Sequence, residues 1–332
     1  MTYLIDNFRR RINYMRISVT DHCNLRCIYC TAHLVSRLKH EDILRYEEIE
    51  RITRVAVSLG IDSLRLTGGE PLMRPYLERL VNMLSNIEGI KDISMTTNAI
   101  TLAKHAKELA DAGLNRVNIS LDSLKEDKFK YMTGYGNLSD VYKGIEAAAK
   151  AGLSPIKINT VMLAGVNDNE ILDFAAKTRD EGWHVRFIEY MPFASEGCGT
   201  DRFAANQTVS GDFIKDTIIS NMGELTPVMS SKGNGPAKYY HLAHAEGTIG
   251  FIGAVTGCFC EACNRMRLTA DGKLRPCLLD DDEIDIKTPL RQGITDEGIK
   301  ELMSQAVAIK HEKHRLGEEI LPSSRQMWQI GG

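Results

Sequence analysis

Tyr46-Glu-Glu-Ile-Glu-Arg-Ile-Thr-Arg-Val-Ala-Val-Ser-Leu-Gly60-Ile-Asp-Ser63-Leu-Arg-Leu-Thr67-Gly68-Gly69-Glu70 reads as a helix over Tyr46–Leu59, a glycine where a left-handed cap is wanted, and a short strand over Ser63–Thr67. The same unit recurs along the chain. Strands are expected at Arg16–Thr20, Asp92–Thr96, Arg116–Leu121, Ile156–Met162 and Val185–Tyr190. Helices are expected at Tyr76–Asn86, Lys104–Ala112, Ser139–Ala151 and Asn169–Glu181, with Gly113, Gly152 and Gly182 repeating the cap of Gly60. Such alternation implies βαβ units on a parallel sheet. Six units are visible, fewer than the eight of a complete barrel. The expected fold class is therefore α/β, a partial (β/α)6 TIM-type barrel.

Beyond about residue 200 the rhythm breaks. Asp212–Met222 and Thr295–Lys310 still read as helices, and Gly233-Asn234-Gly235-Pro236 as a loop. The expected organisation is a barrel over residues 1–225 and a smaller C-terminal module over 226–332 that closes it. No linker separates the two, so they should pack together. A chain of 332 residues can bury a substantial core, and 43% hydrophobic with 26% charged residues is ordinary soluble composition. A net charge of −3 offers no basic field for nucleic acid or an acidic membrane. Any anionic ligand must then be caught by locally placed cations. Met1–Arg11 is polar, with no apolar run after it, which argues against a signal peptide, and no ~18-residue apolar stretch reads as a membrane span. A cytoplasmic location is expected.

Six of the eight cysteines fall in two tight groups, a pattern of metal binding rather than of a secreted disulfide framework. Cys23-Asn-Leu-Arg-Cys27-Ile-Tyr-Cys30 follows the first strand, where barrel active sites form. Three thiolates can hold a four-iron cluster with one iron left open, or, with His22 or His33 as a fourth ligand, a zinc ion. Cys260-Glu-Ala-Cys263-Asn-Arg265-Met-Arg267 precedes a lone Cys277. Here too three ligands leave an open corner, unless Cys258 closes the site.

The C-x3-C-x-aromatic-C spacing resembles the signature of the radical S-adenosylmethionine (SAM) superfamily. Thr67-Gly68-Gly69-Glu70-Pro71 at the end of the second strand resembles that superfamily's GGE motif. The second cysteine group with its R-x-R, Arg186-Phe-Ile-Glu-Tyr-Met191 and Gly331-Gly332 closely resemble the GTP 3′,8-cyclase family of molybdenum cofactor biosynthesis, over essentially the whole chain. The resemblance implies two [4Fe–4S] clusters as cofactors, on Cys23, Cys27 and Cys30 and on Cys260, Cys263 and Cys277, with SAM bound at the first. It implies SAM contacts by Tyr29 (through its backbone), Gly69, Glu70, Ser120 and Met191, and GTP contacts by Arg16, Arg65, Thr96, Lys157, Arg265, Met266 and Arg267. Arg16, Arg265 and Arg267 would be the catalytic cations. The implied partners are GTP, a flavodoxin or ferredoxin reductant, cyclic pyranopterin monophosphate synthase as the next enzyme, and a second copy of the chain in a homodimer. The implied reaction starts with reductive cleavage of SAM. Hydrogen is then abstracted from C3′ of GTP, the resulting radical attacks C8, and reduction with protonation completes the ring.

Charge supports this independently. Strand alternation puts Arg16, Arg65, Lys157 and Arg186 opposite apolar neighbours, and Arg265 and Arg267 share a side if extended. Buried cations are costly unless paired, and a triphosphate would pair them. No Walker A sequence is present. Thr31-Ala32 and the short loop over His33–His40 depart from the family pattern, as does Ser63 where relatives often carry Lys. Cys198 and Cys258 read as packing residues, and His311-Glu-Lys-His314 as an exposed helix face. Two other readings stay open: a peptide-modifying radical SAM enzyme with an auxiliary cluster, which would not need the R-x-R, and an iron–sulfur or zinc sensor, which would not need the cavity cations.

Overall fold

The computed structural model describes residues 3–30, 37–191, 207–229, 235–253, 255–257, 259–314 and 325–331. Cys198, Cys258, Thr31-Ala32, His33 and Gly332 lie outside them. Six parallel strands follow one another across the sheet: β1 (Tyr14–Ser18), β2 (Ser63–Thr67), β3 (Asp92–Thr97), β4 (Arg116–Ser120), β5 (Lys157–Met162) and β6 (His184–Glu189). The crossovers carry α1 (Tyr46–Ser58), α2 (Leu77–Ser85), α3 (Ala106–Asp111), α4 (Glu126–Thr133), α5 (Leu138–Lys150) and α6 (Ile171–Asp180). This is the expected partial barrel, with boundaries shifted by one or two residues. The sequence reading missed α4, whose polar segment EDKFKYMT buries only Phe129, Met132 and Thr133 and so shows no apolar stripe.

The later residues join the same sheet at both edges. After α7 (Gly211–Met222), β7 (Leu225–Val228), β8 (Lys238–Leu242) and β9 (Ile249–Ile252) extend it beyond β6. Strands β10 (Arg265–Leu268), β11 (Lys273–Arg275) and β12 (Ile284–Asp285) extend it beyond β1. β9 is parallel to β6 and β10 to β1, so eight parallel strands form the middle of a twelve-stranded sheet. α8 (Lys287–Arg291) and α9 (Asp296–Ala308) follow. α9 ends before His311, which pairs with Asp280 and Asp282 at 3.2 and 3.1 Å. The segment His311–His314 is therefore not a helix face.

Strand alternation sorts the side chains. Met15, Ile17, Leu64, Leu66, Met95, Val117, Ile158 and Val185 join Ile49, Ile52, Leu80, Val141 and Phe174 of the helices in one apolar cluster. The inward partners on the same strands, among them Tyr14, Arg65, Ser94, Asn118, Lys157 and Arg186, are buried yet outside that cluster. A complete barrel fills its interior with branched apolar side chains. This one fills it with polar and cationic groups.

Candidate active site

The first cysteine loop leaves the top of β1. In Cys27-Ile-Tyr-Cys30 the Cys30 amide donates to the Cys27 carbonyl at 2.9 Å, a turn that brings the two thiols to one side. The Leu25 amide donates to the Cys23 sulfur at 3.4 Å. Amides of Arg26 and Ile28 donate to Thr133 and Met132 carbonyls, both at 2.8 Å, so the loop rests on the end of α4. Burial raises all three thiols, and Cys27 is raised further by Cys30, Asp122 and Cys23 beside it.

These cysteines line a cavity of about 210 Å³ at the strand tops, together with Gly68, Gly69, Glu70, Thr96, Ser120 and Met191. The structure thus brings the expected SAM residues to the cysteine triad. Gly68 has φ +156°, and a Cβ there would stand 2.4 Å from the Thr20 carbonyl oxygen, so only glycine permits this approach of β2 to the loop. The Glu70 carboxylate accepts from the amides of Leu72 (3.1 Å) and Asn98 (2.7 Å) and from the Thr97 hydroxyl (2.8 Å). Burial nevertheless pushes its pKa up to about 7. Three of roughly four lone-pair positions are used, which leaves room for one further donor such as an ammonium group. The Tyr29 side chain also has a partner of its own: its hydroxyl donates to Asp122 at 2.6 Å.

The second loop repeats the first. The Cys263 amide donates to the Cys260 carbonyl at 3.0 Å, and the Leu279 amide to the Cys277 sulfur at 3.4 Å. None of the six described cysteines is in a disulfide. Among the described residues, three potential ligand atoms come within 4.8 Å of one another only at Asp280, Asp282 and His311. Neither cysteine triad contracts that far, as a single tetrahedral zinc with ~2.3 Å sulfur bonds would require. The wider spacing and the amide-to-sulfur bonds fit an iron–sulfur cluster at each triad.

The sequence reading missed a clamp on the second loop. The buried Arg10 donates to Asp6 (2.6 Å) and to the carbonyls of Cys260 (2.8 Å), Glu312 (2.8 Å) and His311 (2.6 Å). Residues 325–331 pass beneath the first cavity, where Gln326, Met327 and Trp328 line its wall. Gly331 has φ +69°, and a Cβ there would stand 2.5 Å from the Thr67 side chain. Arg267 donates to the Gly331 carbonyl at 3.0 Å, so one of its nitrogens is committed to this segment.

Below the cavity lies a layer of cations. In register, Arg16 sits opposite Arg65 and Arg267, and Tyr14 opposite Arg265. Burial, then Arg267 and Arg65, pull the Arg16 guanidinium well below its ordinary value. Burial, then Arg186, brings the Lys157 ammonium down to about 7. Arg186 donates to Asn118 at 2.6 Å and Arg65 to Ser94 at 3.2 Å. Arg116, which the sequence reading did not single out, adds a further guanidinium, ion-paired with Asp92. Yet the Tyr14 hydroxyl, Arg186 Nε, Arg116 Nη1 and Thr96 Oγ1 are buried with no hydrogen-bond partner, each a cost of about 1–3 kcal/mol. An anion rich in acceptor oxygens fits this layer. The Met266 side chain packs in the apolar cluster with Met15 and Leu268, because alternation turns it away from the face shared by Arg265 and Arg267. Ser63, in place of a cation, donates to Asp62 at 2.9 Å.

The Radical SAM superfamily model matches residues 17–177, and the Molybdenum Cofactor Synthesis C model matches residues 183–316. A GTP 3′,8-cyclase of Pelotomaculum thermopropionicum is 48% identical over 98% of this chain and 99% of its own length. One from Thermodesulfovibrio yellowstonii is 47% identical with the same coverage. In architecture the chain is similar to Streptococcus suis SuiB bound to S-adenosylmethionine, with TM-score 0.62 at 15% identity over 87% of this chain and 68% of that one. It is also similar to anSMEcpe with bound AdoMet, with TM-score 0.54 at 18% identity over 87% and 80%. With two family models end to end, and near-half identity over almost the full length of its relatives, the chain belongs to the GTP 3′,8-cyclase family of radical SAM proteins.

Proposed function

We propose that this chain is a radical SAM enzyme that converts GTP to (8S)-3′,8-cyclo-7,8-dihydroguanosine 5′-triphosphate, the first step of molybdenum cofactor biosynthesis. The observation that carries the reading is the buried cation layer directly below a cavity bearing a cysteine triad and a Gly-Gly-Glu turn. When bound, SAM and the cluster on Cys23, Cys27 and Cys30 supply the one-electron cleavage that generates a hydrogen-abstracting radical. The protein's part is position and exclusion of water. Gly68 and Gly69 admit the methionine end of SAM, Glu70 accepts from its ammonium, and Ser120 and Met191 flank the rest.

Arg16, Arg65, Lys157 and Arg186 hold the triphosphate, with the Tyr14 and Thr96 hydroxyls as further donors. Phosphate oxygens then supply acceptors for the Tyr14 and Thr96 hydroxyls and for Nε of Arg186. Cys260, Cys263 and Cys277 would hold the second cluster, which would supply a Lewis-acidic iron for the guanine. Arg265 and Arg267 span from that loop to the triphosphate layer. Residues 1–225 supply six parallel strands of the barrel, and 226–332 add two more and carry the second cysteine site. The enzyme works in the cytoplasm as a homodimer, fed by flavodoxin or ferredoxin and followed by cyclic pyranopterin monophosphate synthase. Among the described residues no helix is long and apolar enough to cross a membrane.

The test is anaerobic. The reconstituted protein is given SAM and dithionite with and without GTP, and products are followed by mass spectrometry. Deoxyadenosine together with a new GTP isomer is expected. Deoxyadenosine with GTP untouched would leave a radical SAM enzyme with another substrate, and no deoxyadenosine from a fully iron-loaded chain would favour a sensor.

A further inference from the structure

Lys310 lies two residues beyond α9 and is 4% exposed. Its ammonium donates to the carbonyls of Arg265 (3.2 Å) and Pro276 and to the Cys263 sulfur. Three donors meet three acceptors. The acceptors belong to two separate segments: Cys263 and Arg265 flank the start of β10, and Pro276 immediately precedes Cys277. One side chain thus ties together the stretches that carry the second triad. Two neutral carbonyls are poor compensation for a buried ammonium, whereas a thiolate or a cluster sulfur is a good one.

The two cysteine sites differ sharply in their electrostatic surroundings. The charges that bear on the first include the carboxylates of Asp122 and Glu70. At the second, the charges that bear on the Cys263 sulfur are cationic, the Lys310 ammonium and the Arg265 guanidinium. Positive charge and hydrogen bonds to sulfur both favour the reduced form of a cluster.

We propose that Lys310 is a positioning residue that clamps the second cysteine site and raises the reduction potential of the cluster held there. This rests on the reading that Cys260, Cys263 and Cys277 hold a cluster. The experiment uses the full chain with Cys23, Cys27 and Cys30 changed to Ser, so that only the second site loads. This parent is compared anaerobically with the same chain carrying Lys310→Met or Lys310→Gln, by iron content and by a potentiometric titration followed by electron paramagnetic resonance. At the parent's midpoint, the ratio of reduced to oxidised cluster in both variants is expected to fall about tenfold, equivalent to 59 mV for one electron. Selective loss of second-site iron from chains that keep their apo-protein circular dichroism would equally support the clamp. Variants with the parent's iron content and midpoint would overturn the proposal, as would two variants whose apo chains lose their helical signal, which would reduce Lys310 to a packing residue. A parent chain that takes up no iron would instead sink the second-cluster reading.

Discussion

Lys157 is held on the inward face of β5 with its ammonium lowered to about 7 by burial first and Arg186 second. Between that value and the ordinary 10.5, the unfolded chain holds a proton that the folded chain lacks. Lys157 therefore makes stability rise with pH across this window, and its full penalty applies below pH 7. A triphosphate would reverse the shift. Calorimetry at pH 8.5 in buffers of different ionisation enthalpy should show GTP binding with uptake of about one proton, and Lys157→Met should lose that uptake while weakening binding. Equal proton uptake in the variant would clear Lys157 of the role. A second expectation concerns Arg265 and Arg267: changing both to Ala should abolish GTP binding but spare uncoupled SAM cleavage. These cations were legible because a charged residue between two apolar ones on a buried strand has one face to occupy. Tyr14 and Arg116 were not. Pairing with Ser63 and Arg265 starts β1 two residues earlier than local sequence suggests, and Arg116 opens its strand, where alternation has no preceding residue to read against.

At the level of elements, the cysteine turns were legible and the segment 325–331 was only partly so. A C-x2-C turn closes through its own backbone, whereas the course of 325–331 depends on Arg267, on the acids that pair with Arg325 and on the tops of β1 and β2, all distant in sequence. Arg325 pairs with Asp271 at 2.9 Å and Glu283 at 2.7 Å, so this segment is pinned to β11 and β12 before it enters the barrel. Gly331→Ala should strain the left-handed turn and press on Thr67, at a cost of about 1–3 kcal/mol. The expected result is undocking of the segment, seen as a red shift in the emission of Trp328, which is 3% exposed when docked. Trp183, the other of the two tryptophans, lies on the helical side and should not change. An unshifted spectrum with normal turnover would show that the turn tolerates a side chain.

Over the whole molecule, the sheet is the unit that matters. The alternation of strands and helices made its first six strands readable. Nothing local indicated that β9 and β10 would add parallel strands at opposite edges, because a parallel neighbour is chosen by burial and not by a turn. A fragment ending at residue 225 would leave both β1 and β6 with a bare hydrogen-bonding edge. It should aggregate, while the full chain melts in one transition; calorimetry and size-exclusion chromatography test this, and a soluble, separately melting fragment would establish two independent units. The parallel pairing of β1 with β10 joins residues about 250 apart in the chain. At roughly 5–20 residues per second of synthesis, β1 waits on the order of tens of seconds for its partner. Throughout that interval its edge and the loop of Cys23, Cys27 and Cys30 stand open, and the strand that ends the wait is the one flanked by Cys263 and Cys277. Completion of the sheet beside β1 and the arrival of the second cysteine site are thus a single late event in the life of each nascent chain.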